Sequence, residues 1–106
     1  MKNFSMRRVV GGRIYDTETA KFIATVAQRS QGNFDDEFTQ LFQTKKGAFF
    51  LAGTGGGCSR WREKAPDGNG WVDGEGLTPI SAEIARPLVE LHAPEMAEDL
   101  FECEEA

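Results

Sequence analysis

Seven apolar side chains fall within fifteen consecutive positions of this chain: Phe38, Leu41, Phe42, Phe49, Phe50, Leu51 and Ala52. They occupy two β-prone runs on either side of Thr44-Lys45-Lys46-Gly47. A glycine in that last position can adopt the left-handed conformation that closes a short hairpin loop with a bulge. Residues 37 to 57 therefore read as an antiparallel hairpin followed by a glycine-rich exit. Successive residues of a strand point to opposite faces, so the cluster is spread over both faces of the sheet and at least one face must be covered by helices. The expected fold class is α+β, an antiparallel sheet of three or four strands centred on this hairpin. One N-terminal helix and one or two C-terminal helices are expected to pack on it.

With 106 residues, 40% of them hydrophobic and 27% charged, the chain has the composition of one folded domain, and residues 1 to 106 read as such with a short acidic tail from about residue 102. No run approaches the length of apolar residues that a membrane span needs, and Met1-Lys2-Asn3-Phe4-Ser5-Met6-Arg7-Arg8 lacks the apolar centre of a signal peptide. The expected location is the cytoplasm, with no membrane partner. Net charge is -5, but its distribution is uneven. Residues 1 to 64 hold eleven Lys/Arg against six Asp/Glu, whereas residues 65 to 106 hold only Arg86 against eleven acids. The two halves are expected to attract each other in the fold. Acidity beyond that pairing is concentrated at the C-terminal end, where Glu95, Glu98, Asp99, Glu102, Glu104 and Glu105 lack a basic neighbour. Such a run reads either as a solvated face with a frayed end or as a negative surface that meets a basic partner.

Before the hairpin, two short β-prone runs flank Gly11-Gly12, a two-residue turn signal that predicts a ribbon over residues 7 to 15. Asp16 with an acidic turn behind it, then Ala20, Ile23, Ala24 and Ala27 at three- and four-residue spacing, predicts a helix over residues 17 to 28. Residues 29 to 37 read as a surface loop. After the hairpin, Gly53-Thr54-Gly55-Gly56-Gly57 invites comparison with phosphate-binding loops, but Cys58 stands where the dinucleotide fingerprint needs glycine, and no Gly-Lys-Ser/Thr ending follows. The glycines are read instead as a sharp exit from a strand. Residues 58 to 76 form the longest stretch without a period, and they carry the basic-aromatic cluster Arg60, Trp61, Arg62 and Lys64, with Trp71 further on. Tryptophan beside arginine is the pairing enriched at binding hot spots, although both rings could equally fold back as lids over the hairpin.

Residues 76 to 80 predict a short edge strand, since Pro79 cannot donate to a ladder. Ser81 is a good helix N-cap, and Ile84, Leu88 and Leu91 mark one face of a helix reaching about His92. Pro87 within it implies a kink or a later start, and Ala93-Pro94 opens a further short helix with Met96, Ala97, Leu100 and Phe101 inward. The one histidine, His92, reads as a helix-end residue. Cys58 and Cys103 stand 45 positions apart and match no metal-ligand spacing, so they read as reduced thiols. No catalytic residue, metal site or cofactor is therefore expected.

Three segments carry a resemblance: Tyr15-Asp16-Thr17-Glu18-Thr19-Ala20; the run from Leu41 to Leu51 with its glycine-rich continuation and Ser59; and Pro79-Ile80-Ser81-Ala82-Glu83 before a helix. Together they resemble a set of small uncharacterised bacterial proteins often encoded on phages and mobile elements, over most of residues 7 to 101. Pro87 and the longer acidic end depart from that pattern. The resemblance brings no catalytic residues; it implies a setting, in which small acidic proteins are frequently inhibitors of host defence, anti-CRISPR proteins among them. The expectation is a stoichiometric inhibitor in the bacterial cytoplasm that binds a protein partner, a defence nuclease complex. Glu95, Glu98, Asp99 and Glu102 would supply the approach, with Trp61, Trp71, Arg60 and Arg62 as the anchoring loop. The alternative is a nucleic-acid-binding accessory protein using Arg7, Arg8, Arg13, Lys45, Lys46, Arg60 and Arg62.

Overall fold

In the computed structural model, which describes residues 5–30 and 35–106, the chain runs through β1 (Arg7–Val10), β2 (Arg13–Asp16), β3 (Lys21–Arg29), β4 (Glu37–Gln43) and β5 (Phe49–Gly55). It continues through the two-residue strands β6 (Glu63–Lys64) and β7 (Trp71–Val72), then β8 (Gly74–Ile80), α1 (Ala82–His92), a 3-10 turn at Pro94–Met96, and α2 (Ala97–Leu100). The expected hairpin is present, paired from Gln43↔Phe49 to Glu37↔Gly55. Its loop closes as the composition demands. Gly47 has φ +94°, its N–H donates to the Thr44 carbonyl at 2.9 Å, and the Thr44 hydroxyl accepts from the Ala48 N–H at 3.0 Å. The sheet is antiparallel throughout, in the order β3-β4-β5-β8. β8 is an edge strand as expected, with Pro79 opposite Phe50, but it begins at Gly74 and is longer than the predicted segment. The Gly11-Gly12 ribbon also forms, pairing β1 with β2.

The predicted helix over residues 17 to 28 is absent. Asp16 does organise a turn: its carboxylate accepts from the Glu18 N–H at 2.8 Å and its carbonyl from the Ala20 N–H at 3.0 Å. The turn does not propagate, because β-branched Ile23, Thr25 and Val26 follow and pair as β3 against β4. Register shifts between Phe22 and Ala24, and between Thr25 and Ala27, insert an extra residue at two points. The first leaves Ile23 and Ala24 both inside one core cluster, which breaks the two-residue alternation and imitates helical spacing. The predicted loop after β3 falls partly on residues 31–34, outside the described residues.

Both sheet faces are covered, by different means. On one, Phe42, Phe50 and Ala52 pack with Met6 and Tyr15 from the base of the N-terminal ribbon. On the other, Leu41, Phe49 and Leu51 pack with Ile23, Ala24, Trp61 and the α1 residues Ala85 and Val89. Each large side chain buried in this way contributes roughly 1.5–3 kcal/mol. No ion pair among the described residues joins the basic and acidic halves. Among the described residues the ion pairs are Arg7–Asp16, Arg29–Glu37 and Arg60–Glu37, all within the first 64 positions.

Helix α1 starts where predicted, the Ser81 hydroxyl accepting the Ile84 N–H at 3.2 Å. It runs through Pro87, which lacks the N–H that would donate to the Glu83 carbonyl, and both residues lie on the exposed side of the helix. The buried stripe, however, is Ala85, Val89 and Ala93, not Ile84, Leu88 and Leu91. Small Ala85 lets the helix approach the sheet, and Leu88 alone of the predicted set is partly buried. Changing Ser81 to Ala removes the cap and is expected to cost about 1 kcal/mol, read as a lower midpoint of chemical unfolding with unchanged slope.

Candidate binding surfaces

The glycines after the hairpin are a seat for a side chain. Gly53 and Gly76 face each other across β5 and β8. A Cβ on Gly53 would lie 2.5 Å from the Trp61 indole nitrogen, and one on Gly76 would lie 2.8 Å from Trp61 Cε3. Trp61 fills that space and is only 6% exposed. Its Nε1–H donates to Thr39 Oγ1 at 2.7 Å, and the same hydroxyl donates to Glu37 Oε2 at 2.7 Å. The Glu37 carboxylate, itself buried, is flanked by Arg29 Nη2 at 3.2 Å and Arg60 Nε at 2.8 Å. This is a satisfied polar chain, indole to hydroxyl to carboxylate to two guanidinium groups. Leaving any inner member unpaired would carry the desolvation cost of a buried polar group. Two predicted binding residues are thereby reassigned. Trp61 is a core residue, and the charge of Arg60 neutralises Glu37.

The rest of that loop does reach solvent. Lys64 pairs with Trp71 across the β6–β7 ribbon, and Trp71 is 45% exposed. The Arg62 guanidinium lies 4.3 Å from the Trp71 ring centroid and Lys64 Nζ lies 5.6 Å away, within the range of cation–π attraction. Beside them is a groove of about 660 Å³ lined by Arg29, Asp36, Glu37, Gly55, Trp71 and Asp73, among others. Its charges are of both signs. Among the described residues that line it there is no histidine or cysteine.

At the other end of the molecule the predicted acidic residues come together on the C-terminal helical unit. Glu95, Glu98, Asp99 and Glu102 are all exposed, while Met96, Ala97, Leu100 and Phe101 turn inward against the core. Phe101 stacks on Phe49 with ring centroids 5.5 Å apart, and the Arg86 guanidinium lies 5.3 Å from the Phe101 ring and donates to the Glu102 carbonyl. The start of the acidic tail is therefore tied to α1, so its first charges are held against the helix.

Sequence reasoning missed the neighbouring part of this surface. Ile84 is 57% and Leu91 73% exposed, and with Leu88 between them they share one side of α1. Glu83 and Glu90 occupy the adjacent exposed stripe. Only the choice of Ala85 and Val89 as the buried stripe reveals this, since larger apolar residues are the natural candidates for a core. His92 is exposed in the last turn of α1, and Cys58 and Cys103 are exposed free thiols. Among the described residues no three His, Cys, Asp or Glu side chains converge as metal ligands, and no helix is long and apolar enough to cross a membrane. Comparison with protein-family models, curated proteins and solved structures gives no match.

Proposed function

We propose that this chain is a non-catalytic protein-binding domain that inhibits a bacterial defence nuclease complex one-to-one, by presenting carboxylates to a basic surface that normally holds nucleic acid. The observation that supports it best is the α1 face, where exposed Ile84 and Leu91 stand beside Glu83 and Glu90, with Glu95, Glu98 and Asp99 continuing the charge. Carboxylates attract a basic groove over about a Debye length, roughly 8 Å at physiological salt. Desolvated apolar anchors then hold what the charge has delivered, and Ile84 and Leu91 take the anchoring role that buried Trp61 cannot. The setting, a mobile-element protein acting in the host cell, comes from the resemblance carried by the central hairpin and its flanking segments.

The two kinds of contact separate kinetically. Neutralising Glu95, Glu98, Asp99 and Glu102 together is expected to slow association several-fold and flatten its salt dependence, while Leu91→Ala mainly speeds dissociation. Surface plasmon resonance against purified RNA-guided nuclease complexes reads both. Inhibition that persists far below one protein per target would show turnover and sink the reading. A second reading, nucleic-acid binding, keeps one specific support in the Arg62–Trp71–Lys64 cluster. It predicts a steep fall of binding with salt that charge reversal of Arg62 reduces.

A further inference from the structure

The β3-β4-β5-β8 sheet has two outer edges, and its hydrogen-bond phase decides which backbone groups each one presents. The Thr44 N–H donates to the Ala48 carbonyl at 2.7 Å, so these two form a bonded pair, and bonded and non-bonded pairs alternate from there along β4 and β5. Phe49, Leu51, Gly53 and Gly55 therefore turn their backbone groups toward β8, where they meet Ile80, Thr78, Gly76 and Gly74. Glu75, Leu77 and Pro79 point the other way, and the proline, with no N–H to give the ladder, fits that phase. The outer edge of β8 is thus a regular two-residue repeat: the N–H and C=O of Glu75, the N–H and C=O of Leu77, and the C=O of Pro79. β8 pairs with β5 alone, and among the described residues no other backbone bond reaches these groups. No residue of β8 is buried, whereas β5 is buried from Phe49 to Gly53.

The other edge is closed to pairing by its own geometry. Gln43, Leu41, Thr39 and Glu37 turn their backbone groups toward β3 and meet Lys21, Ala24, Ala27 and Arg29. The outward residues of β3 are therefore Phe22, Thr25 and Gln28, set three apart by the two register shifts. A regular strand repeats every two residues and cannot follow them. We propose that β8 pairs antiparallel with β8 of a second copy, about a two-fold axis through Leu77, so that the two sheets join into one. In that register each Leu77 N–H donates to the partner's Leu77 carbonyl and each Glu75 N–H to the partner's Pro79 carbonyl. Every outward N–H of both strands is used, and the donor that Pro79 lacks leaves only the Glu75 carbonyl open to water. Leu77 comes to lie beside the partner's Leu77, continuing the apolar cluster of Phe42, Phe50 and Ala52 across the axis, and Glu75 faces a proline and not another carboxylate. An axis through Gly76 would instead set each carboxylate against a leucine. The contact uses the same surface on both copies, and with β3 closed the association stops at two. It involves neither the α1 face nor the Arg62–Trp71–Lys64 cluster.

Sedimentation velocity of the full chain over a concentration series, with amide hydrogen exchange read at the same concentrations, tests the pairing. The expected result is a monomer–dimer equilibrium in which the Glu75 and Leu77 amides gain protection as the dimer fills, while those of Phe22, Thr25 and Gln28 do not. Glu75→Pro removes one outward N–H per copy without touching the β5 ladder, and is expected to weaken dimerisation about tenfold or more. Glu75→Gln keeps that N–H and is expected to dimerise at least as well as the parent. Pro79→Ala supplies an N–H opposite the open Glu75 carbonyl, and is expected to tighten the dimer about fivefold or more. Circular dichroism of each variant checks that it folds, and Pro79→Ala still decides the matter if Glu75→Pro does not fold. A monomer at every concentration overturns the proposal, as does a dimer in which the Glu75 and Leu77 amides stay unprotected or one that Pro79→Ala leaves unchanged. Species larger than a dimer overturn the closed two-fold. Protection of Glu75 and Leu77 that requires a foreign protein would show that the edge takes a strand of that protein, and overturns it too. None of these outcomes touches inhibition of a target, which is measured with the target present.

Discussion

Replacing Trp61 with alanine is expected to destabilise the protein by about 3–5 kcal/mol, the range for emptying a buried large aromatic site. Three effects combine there. The indole leaves a void above Gly53 and Gly76, which have no side chains to collapse into it. Thr39 Oγ1, fully buried, loses its donor. Glu37, two residues along, then depends on a hydroxyl that is less firmly oriented. Trp61→Phe separates volume from polarity. It keeps most of the ring and loses the hydrogen bond, so about 1–3 kcal/mol is expected. Chemical denaturation monitored by circular dichroism measures both. A cost below about 0.5 kcal/mol for the alanine variant would mean the indole is not the plug that its geometry indicates. Any loss of partner binding in this variant should disappear under conditions where the folded fraction is restored, since the ring is too buried to touch a partner.

Phe50→Ala should have an effect of similar size on the opposite sheet face. Phe50 is fully buried, stacked on Phe42 at 5.2 Å and meeting the Tyr15 ring edge-on at 5.5 Å. Aromatic pairs of this geometry add roughly 0.5–1.5 kcal/mol each beyond their area, on top of a truncation cost of about 3–5 kcal/mol. The ribbon is the element that loses most, because Met6 and Tyr15 are the residues that join it to the sheet. An isolated two-stranded ribbon is marginal in water. Amide hydrogen exchange should therefore show β1 and β2 losing protection before β4 and β5 do. Uniform loss of protection across both would indicate that the ribbon is cooperative with the sheet and not separately anchored.

The central hairpin, the ribbon at Gly11-Gly12, the Ser81 cap and the edge position of β8 were all legible in the residues, because each depends on local chemistry. A glycine at positive φ, a serine hydroxyl within reach of an N–H three residues on, and a proline without a donor act over a few positions, whatever else the chain does. The candidate site was legible only in part. Charge is visible in sequence, so the exposure of Glu95, Glu98, Asp99 and Glu102 was legible, but which apolar residues stay in water is not.

Three things were decided by tertiary structure. Residues 21 to 29 had alanine spacing fit for a helix and β-branched residues fit for a strand, and the open edge of β4 settled the contest. Two bulges then erased the alternation that would have announced the strand. Trp61 looked like an exposed anchor on a polar loop until glycines from the two strands that flank the loop, Gly53 and Gly76, paired and left a space that its ring fills. Helix α1 carries two apolar stripes, and the one that is buried contains the smaller residues, because closeness to an already filled sheet favours Ala85 over Ile84. Local stereochemistry is written residue by residue. Which side chain is covered depends on the volume left by distant parts of the chain, and that volume exists only once the sheet, the loop and the helix have come together.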